Sequence, residues 1–373
     1  MKYIYIIISA AISLCMSSCR HGHSASDISD ETVFDISSVE QQDTVLEAEQ
    51  YEVVPFETNK ECMLREVYKV LVRDSDIFVL DRDPNPRICV FDQQGKFKNT
   101  IGELGHGRNE YVDIDNFAVS ERGDSVFLLC NNILKIFKKD GSYLTTVGIE
   151  DEYTWDDIIC TRSGLMFASY HHIYDHLISE WNFSWKEIAT YIQYPHDLIK
   201  GGVWSINLLQ QDKTSVCFLD PFGSTFYIID KGTKRISSFS LKSDNMMTLE
   251  DSPDKALMDG KHDLVNKYVY ADGVIRGYLD LHGRIRSFSI DTRQKVFSTF
   301  NVAQAHFGAD AYHNGWFYSV VDRNYLRMSD LYNPYRPNES HKRFHDAINE
   351  CLDTITANDN YLVLKVKIAE ANK

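Results

Sequence analysis

Three groups of side chains in this sequence have types and spacings that could do chemistry. His106, Arg108 and Glu110 alternate along Gly105-His106-Gly107-Arg108-Asn109-Glu110. An imidazole, a guanidinium and a carboxylate on one glycine-rich loop could contact a polar ligand; the competing reading is a surface turn. His171, His172 and His176 cluster with Asp175. Imidazoles four residues apart share a helix face and could hold zinc, which takes nitrogen and oxygen ligands. The flanking aromatics, however, read as strand and loop, where that spacing loses its meaning. His341 and His345 repeat the spacing on a helical segment but lack the Glu of an HExxH arrangement, so a solvated face is expected. No GxSxG elbow, phosphate loop or EF-hand pattern occurs. The expectation is no catalytic residue, no metal and no cofactor, with ligand contact assigned to His106, Arg108 and Glu110.

Cysteine could do chemistry of another kind. Lys2 precedes an apolar run, Tyr3 to Leu14, and then Met16-Ser17-Ser18-Cys19. A short apolar segment ending in small residues reads as a secretory signal. Small residues directly before a Cys resemble a lipobox, which implies that Cys19 becomes the first mature residue and carries the lipid. Met16 departs from that pattern, which more often has Leu. Acyl chains anchor at about 0.8 kcal/mol per buried CH₂. Cys15 lies within the signal, and six further cysteines remain, Cys62, Cys89, Cys130, Cys160, Cys217 and Cys351, with no CxxC pair. Most lie in apolar runs and read as small buried side chains. The compartment permits a disulfide, and Cys62 with Cys351 is the pairing expected, because both fall near the closing point of the fold.

The elements that position these groups follow from a repeat. Phe91 to Phe137, Gly95 to Gly141 and Gly102 to Gly148 are each 46 positions apart. Adding 46 twice more reaches Phe183 and then Ile229. Each unit reads as an apolar strand, a polar turn and a second strand, with further strands upstream such as Asp76 to Asp81. Units of this length with four strands are propeller blades. The fold expected is all-β: a six-bladed β-propeller with four-stranded blades and one short helix inserted in the last blade. That helix would start at Ser340 and carry Phe344, Ile348 and Cys351 on one stripe. About 15 residues are inserted before the fifth unit, around Ser243 to Gly260. Tyr51 to Phe56 has no unit of its own and should supply the outer strand of the last blade, closing the ring. Residues 1–18 are then the signal peptide, 19–44 a flexible polar tether and 45–373 the propeller.

Ile77 to Gly148 carries a family resemblance. Val90-Phe91-Asp92-Gln93-Gln94-Gly95-Lys96, followed by Ile101-Gly102-Glu103-Leu104-Gly105-His106-Gly107-Arg108-Asn109-Glu110-Tyr111, is similar to the motifs of six-bladed β-propeller lipoproteins of Gram-negative anaerobes, which look like relatives of NHL-repeat propellers. Arg108-Asn109 stands where that family has Pro-Gly. The resemblance implies the fold and the lipid anchor and no settled activity. A formal charge of −15 argues against nucleic acid as a partner. The functional expectation is an envelope-anchored binding module for a peptide, glycan or protein partner. It would be monomeric, attached to the membrane through its N-terminal lipid and facing the periplasm from the outer membrane. The alternative is a metal-dependent hydrolase or lyase with its site in the central channel.

Overall fold

The computed structural model describes residues 23–25, 28–37, 48–131, 133–149, 155–169, 176–193, 208–220, 223–246, 263–300, 309–322, 346, 349–356 and 359–368. They form six antiparallel blades of four strands each, in the order the repeat predicts. The innermost strands are Val67–Arg73, Asn116–Val119, Asp157–Cys160, Leu209–Gln211, Leu264–Ala271 and Ala311–His313. Each touches the next, and the last touches the first, so the strands ring a central channel. The second strands of the first four blades are almost wholly buried, as in Asp76–Asp81. A blade has a neighbour on both faces, so both faces must be apolar. In the first blade Phe78 and Leu80 pack toward the second, while Ile77 and Val79 pack toward the sixth.

Ring closure follows the sequence expectation. Ala48–Pro55 pairs antiparallel with Leu362–Ile368 and forms the outer strand of the sixth blade. Phe56, just beyond it, is buried and stacks on Phe91 of the first blade at 4.1 Å. A short helix includes residues 349–354, and Leu352 and Ile355 pack on the sixth blade. Ser340, Phe344 and Ile348, assigned to its start and stripe, lie outside the described residues.

The structure differs from three expectations. Part of the segment read as a flexible tether is strand. Ile28–Asp35 adds a fifth, parallel strand to the fourth blade along Ile236–Lys242, and His23–Ala25 does the same on the third blade. The polar composition hides an alternation: Thr32, Phe34 and Ile36 turn inward, and Ile36 is fully buried. Secondly, Cys62 and Cys351 are free thiols in separate core clusters. The Cys62 thiol donates to the carbonyl of Glu57 at 3.0 Å instead. Thirdly, the strict 46-residue step slips in the third blade. Register pairs Phe91 with Phe97, Phe137 with Tyr143 and Trp181 with Glu187, so Trp181 is the counterpart of Phe91. Phe183 lies in the turn and is 47% exposed. That turn needs a left-handed residue in every blade where it is described. The first two blades use Gly95 and Gly141, whereas the next three use Trp185, Lys234 and Lys295 at φ of 56–61°. The glycine signature is therefore visible in only two blades.

Two buried carboxylates connect the blades. Glu180 of the third blade receives the Lys234 ammonium of the fourth at 2.8 Å on each oxygen, plus the hydroxyls of Tyr191 and Ser163. Asp76 holds Lys98 and Lys139. Burial pushes both carboxyls up, but the hydrogen bonds and charges of these lysines outweigh it and hold both below their ordinary values. A carboxylate lowered on folding contributes stability that is present above its unfolded pKa, near 4.5 for Glu180. That stability is lost as pH falls through the folded value. Lys234→Met removes the largest influence that opposes burial and leaves only the Tyr191 and Ser163 hydroxyls, so acid unfolding should begin at a higher pH than in the wild type. A pH series of circular-dichroism melts checks this; an unchanged acid midpoint would show that the pair does not couple to folding.

Candidate functional site

The turn between the first and second strand of every blade projects at one end of the channel. Together these turns enclose a cup of about 390 Å³, lined by Arg73, Glu121, Arg162, Asp212, Asp272 and His313 from blades one to six in order. Gln211, Lys213 and Lys231 complete its fourth-blade side, and Tyr312, Asn314 and Gly315 its sixth. The local cause is turn chemistry. Asp-, Asn- and Gly-rich pairs such as Asp272-Gly273 and Asn314-Gly315 adopt positive φ here, which tightens the hairpin and leaves its polar side chains at the rim. Below the cup the channel narrows to about 30 Å³ between Leu71, Ala118, Ile159, Cys160, Leu209 and Ala311. That is space for little more than a water. Gln210, Gln211, Tyr270 and Asp310 also line that space, so the cup narrows onto a floor of mixed polarity.

Four cations and three carboxylates line it, in a chain whose formal charge is −15. Each carboxylate is engaged by the protein. Glu121 accepts Arg162 at 2.9 Å and lies 3.8 Å from Lys231. One oxygen of Asp212 accepts the backbone N–H groups of Thr214 and Ser215, both at 2.8 Å. The other oxygen accepts that of Gly273 at 3.3 Å. Asp272 accepts the Tyr312 hydroxyl. Lys231 is also spoken for, donating to Gln211 Oε1 at 2.9 Å and the Asp212 carbonyl at 2.6 Å.

Arg73 differs. It pairs with no carboxylate among the described residues, and its one hydrogen bond there runs from Nη1 to the carbonyl of Val72 at 2.9 Å. It is half-buried at the junction of cup and floor, lining both. Burial pulls its pKa below the ordinary guanidinium value, opposed by Glu121. His313 feels the same surroundings: burial and then Arg73 hold its pKa below 6.5, so the imidazole is neutral at physiological pH. Burial raises the Cys160 thiol beneath them to about 12, so it is neutral too.

The opposite end of the inner strands is tied shut. Lys69, only 2% exposed, donates to Asn116 Oδ1 and Asp157 Oδ1, both at 2.7 Å. Asp157 Oδ1 also accepts its neighbour's N–H, and Asp157 Oδ2 accepts those of Leu208 and Leu209. One ion pair thereby joins four blades. Burial lowers the Lys69 pKa, opposed by Asp157.

The residues singled out from sequence lie elsewhere. His106, Arg108 and Glu110 sit in the connection from the first blade's outer strand to the second blade's inner strand, which by topology is at the end opposite the cup. Glu110 accepts the Gly107 N–H at 2.7 Å, and a Cβ on Gly105 would meet its carboxylate at 2.0 Å. Arg108 lies over the Tyr143 ring at 5.8 Å, and its carbonyl accepts Lys135 at 3.0 Å. Both side chains have contacts that shape the loop; His106 is exposed. His176 stands beside Trp155 in the third blade, away from the cup. His171, His172, His341, His345 and Cys19 fall outside the described residues. Among the described residues no group of three or more His, Cys, Asp or Glu side chains is placed to hold a metal ion, and no helix is long and apolar enough to cross a membrane. The cup residues were overlooked because each is unremarkable in its own blade. Aligning the polar turn after every first strand, such as Arg73-Asp74, Glu121-Arg122, Arg162-Ser163 and Asp212-Lys213, would have gathered them.

The family model described as Domain of unknown function (DUF4934) matches residues 31–367. No functionally curated protein matches the chain. Among solved structures, a Bacteroides fragilis protein described as exported superposes with a TM-score of 0.70 at 16% identity, covering 91% of this chain and 100% of that one. A member of the DUF4221 family from Bacteroides vulgatus follows at 0.56 and 11%, covering 88% and 100%. Identities this low establish the shared fold.

Proposed function

We propose, for a chain that belongs to the DUF4934 family of domains of unknown function, that it is an envelope-anchored binding module whose ligand enters the six-blade cup. The observation that carries this reading is the cup itself: a solvent-open cavity of about 390 Å³ to which every blade contributes a turn. Concave sites with a few convergent polar groups are the usual form of ligand pockets. The partner is a peptide, a glycan or an exposed segment of another protein, and no nucleic acid. Anchoring through Cys19, on the periplasmic face of the outer membrane, is supported by the N-terminal sequence alone. Kinship with NHL-repeat propellers rests on the repeat pattern alone. Cys19 lies four residues before the strand His23–Ala25, so a lipid there would hold the rim of the third blade close to the membrane.

Lys213 is exposed at the rim, and its side chain makes no hydrogen bond or ion pair among the described residues. Lys213→Trp fills the mouth. On glycan and peptide arrays the wild type and a Lys60→Trp control should retain the same ligands, and Lys213→Trp should lose them by about tenfold or more, the effect of about 1.4 kcal/mol. Equal retention by all three would show that the ligand binds elsewhere.

A further inference from the structure

Resting on that reading of the cup, we propose that its ligand carries a carboxylate, received by the guanidinium of Arg73. Three features of the site converge on this. The first is charge balance. Glu121, Asp212 and Asp272 are all engaged by side chains or backbone of the protein, as are Arg162 and Lys231. Arg73 is the cup cation that lies deepest and lacks a carboxylate partner among the described residues. A single monoanion neutralises it, whereas a phosphate dianion would leave surplus negative charge beside Glu121. The second is geometry. A guanidinium offers a planar fork of N–H donors that matches the two oxygens of a carboxylate, and the one hydrogen bond to the Val72 carbonyl leaves most of that fork free among the described residues. The third is the surroundings. The space under Arg73 is narrow, about 30 Å³, and admits little water, so a charge-assisted bond formed at its edge is less screened than one on the open surface.

The neighbouring groups set what else the ligand needs. His313 stays neutral and adds a hydrogen-bonding ring without a second charge. Asp212 and Asp272 face the same space and repel a second anionic group on the ligand. A further cavity of about 380 Å³, lined by Thr214, Ser215, Ser237, Gly273 and Thr292, adjoins the cup across the Asp212–Gly273 contact. A hydroxyl-rich cavity at that position accommodates the next unit of a ligand that extends beyond its acidic end. A carboxylate of this kind comes from a sugar acid or from a peptide C-terminus.

The test uses the full chain in detergent micelles, titrated by calorimetry with glucuronate, with an N-acetylated dipeptide bearing a free C-terminus, and with their uncharged counterparts, glucose and the dipeptide amide. At least one acid should bind saturably and about tenfold or more tighter than its uncharged counterpart, with the stronger acid naming the source. Arg73→Gln should remove that preference, Arg73→Lys should restore part of it, and the melting temperatures should stay close to wild type. Glucose or the amide binding as tightly as its acid, or an acid preference that survives in Arg73→Gln, overturns the carboxylate. If Lys213→Trp still abolishes array binding in that case, the cup remains the binding site and only its chemistry is wrong. No binding by either acid also overturns the proposal.

Discussion

Asp157→Ala lowers the stability of the ring by about 3–5 kcal/mol, the cost of leaving a buried charge without its partner. Asp157 is fully buried, and its two oxygens serve Lys69 and three backbone N–H groups. Alanine removes all of those acceptors at once. Lys69, itself buried, keeps Asn116 and the Ile158 carbonyl and no anion among the described residues. Denaturant unfolding followed by tryptophan fluorescence measures the loss. The double variant Lys69→Met with Asp157→Leu removes both charges, though three N–H groups stay unsatisfied, so it should recover part of the stability and no more. A double variant no more stable than Asp157→Ala would show that the backbone acceptor role, and not the charge, dominates. Because the pair sits at the end of the channel opposite the cup, ligand binding in the surviving folded fraction should be unchanged.

The second large effect concerns closure. Removing residues 1–57 deletes the outer strand of the sixth blade together with Phe56. The loss exposes the edge of Leu362–Ile368 and uncovers Phe91, against which Phe56 stacks. Burial of a phenylalanine side chain alone is worth about 1.5–3 kcal/mol, and the strand ladder and Val54 add to it. Against a typical total of about 5–15 kcal/mol, this truncation should yield a chain that unfolds or associates through its open edge. Removing residues 1–47 keeps the closing strand. It costs only the added strands on blades three and four and the burial of Ile36, so that protein should fold with a lowered melting temperature. Size-exclusion chromatography and thermal melts separate the outcomes; two truncations of equal stability would refute the closing role.

The number of blades, their order and the closing strand were legible because a propeller states its geometry locally. Each blade is one chain segment whose apolar strands and polar turns recur. Tyr51 to Phe56 could be placed by exclusion, since a ring cannot leave an edge unpaired. The slip from Phe183 to Trp181 was not legible. The backbone of that turn is common to five blades, but the residue that adopts it is glycine in only two. The strand Ile28–Asp35 was hidden by its charges, because one buried face in a short polar segment looks like a tether until the blade beside it is known.

The amino-acid sequence by itself determined the architecture, since strand periodicity, turn chemistry and a repeat are properties of neighbouring residues. It also marked Gly105 to Tyr111 as special, and that loop proved to be an internally bonded connection at the end opposite the cup. Only the tertiary structure brought the cup together. The cup takes Arg73, Glu121, Arg162, Asp212, Asp272 and His313 from six turns, each separated from the next by at least 41 positions. None of these residues has a motif of its own. Their meaning comes from the radial symmetry that brings six equivalent turns to one mouth, and from an accounting of charge that leaves Arg73, the deepest cation, without a carboxylate among the described residues, which no single segment of the chain can show.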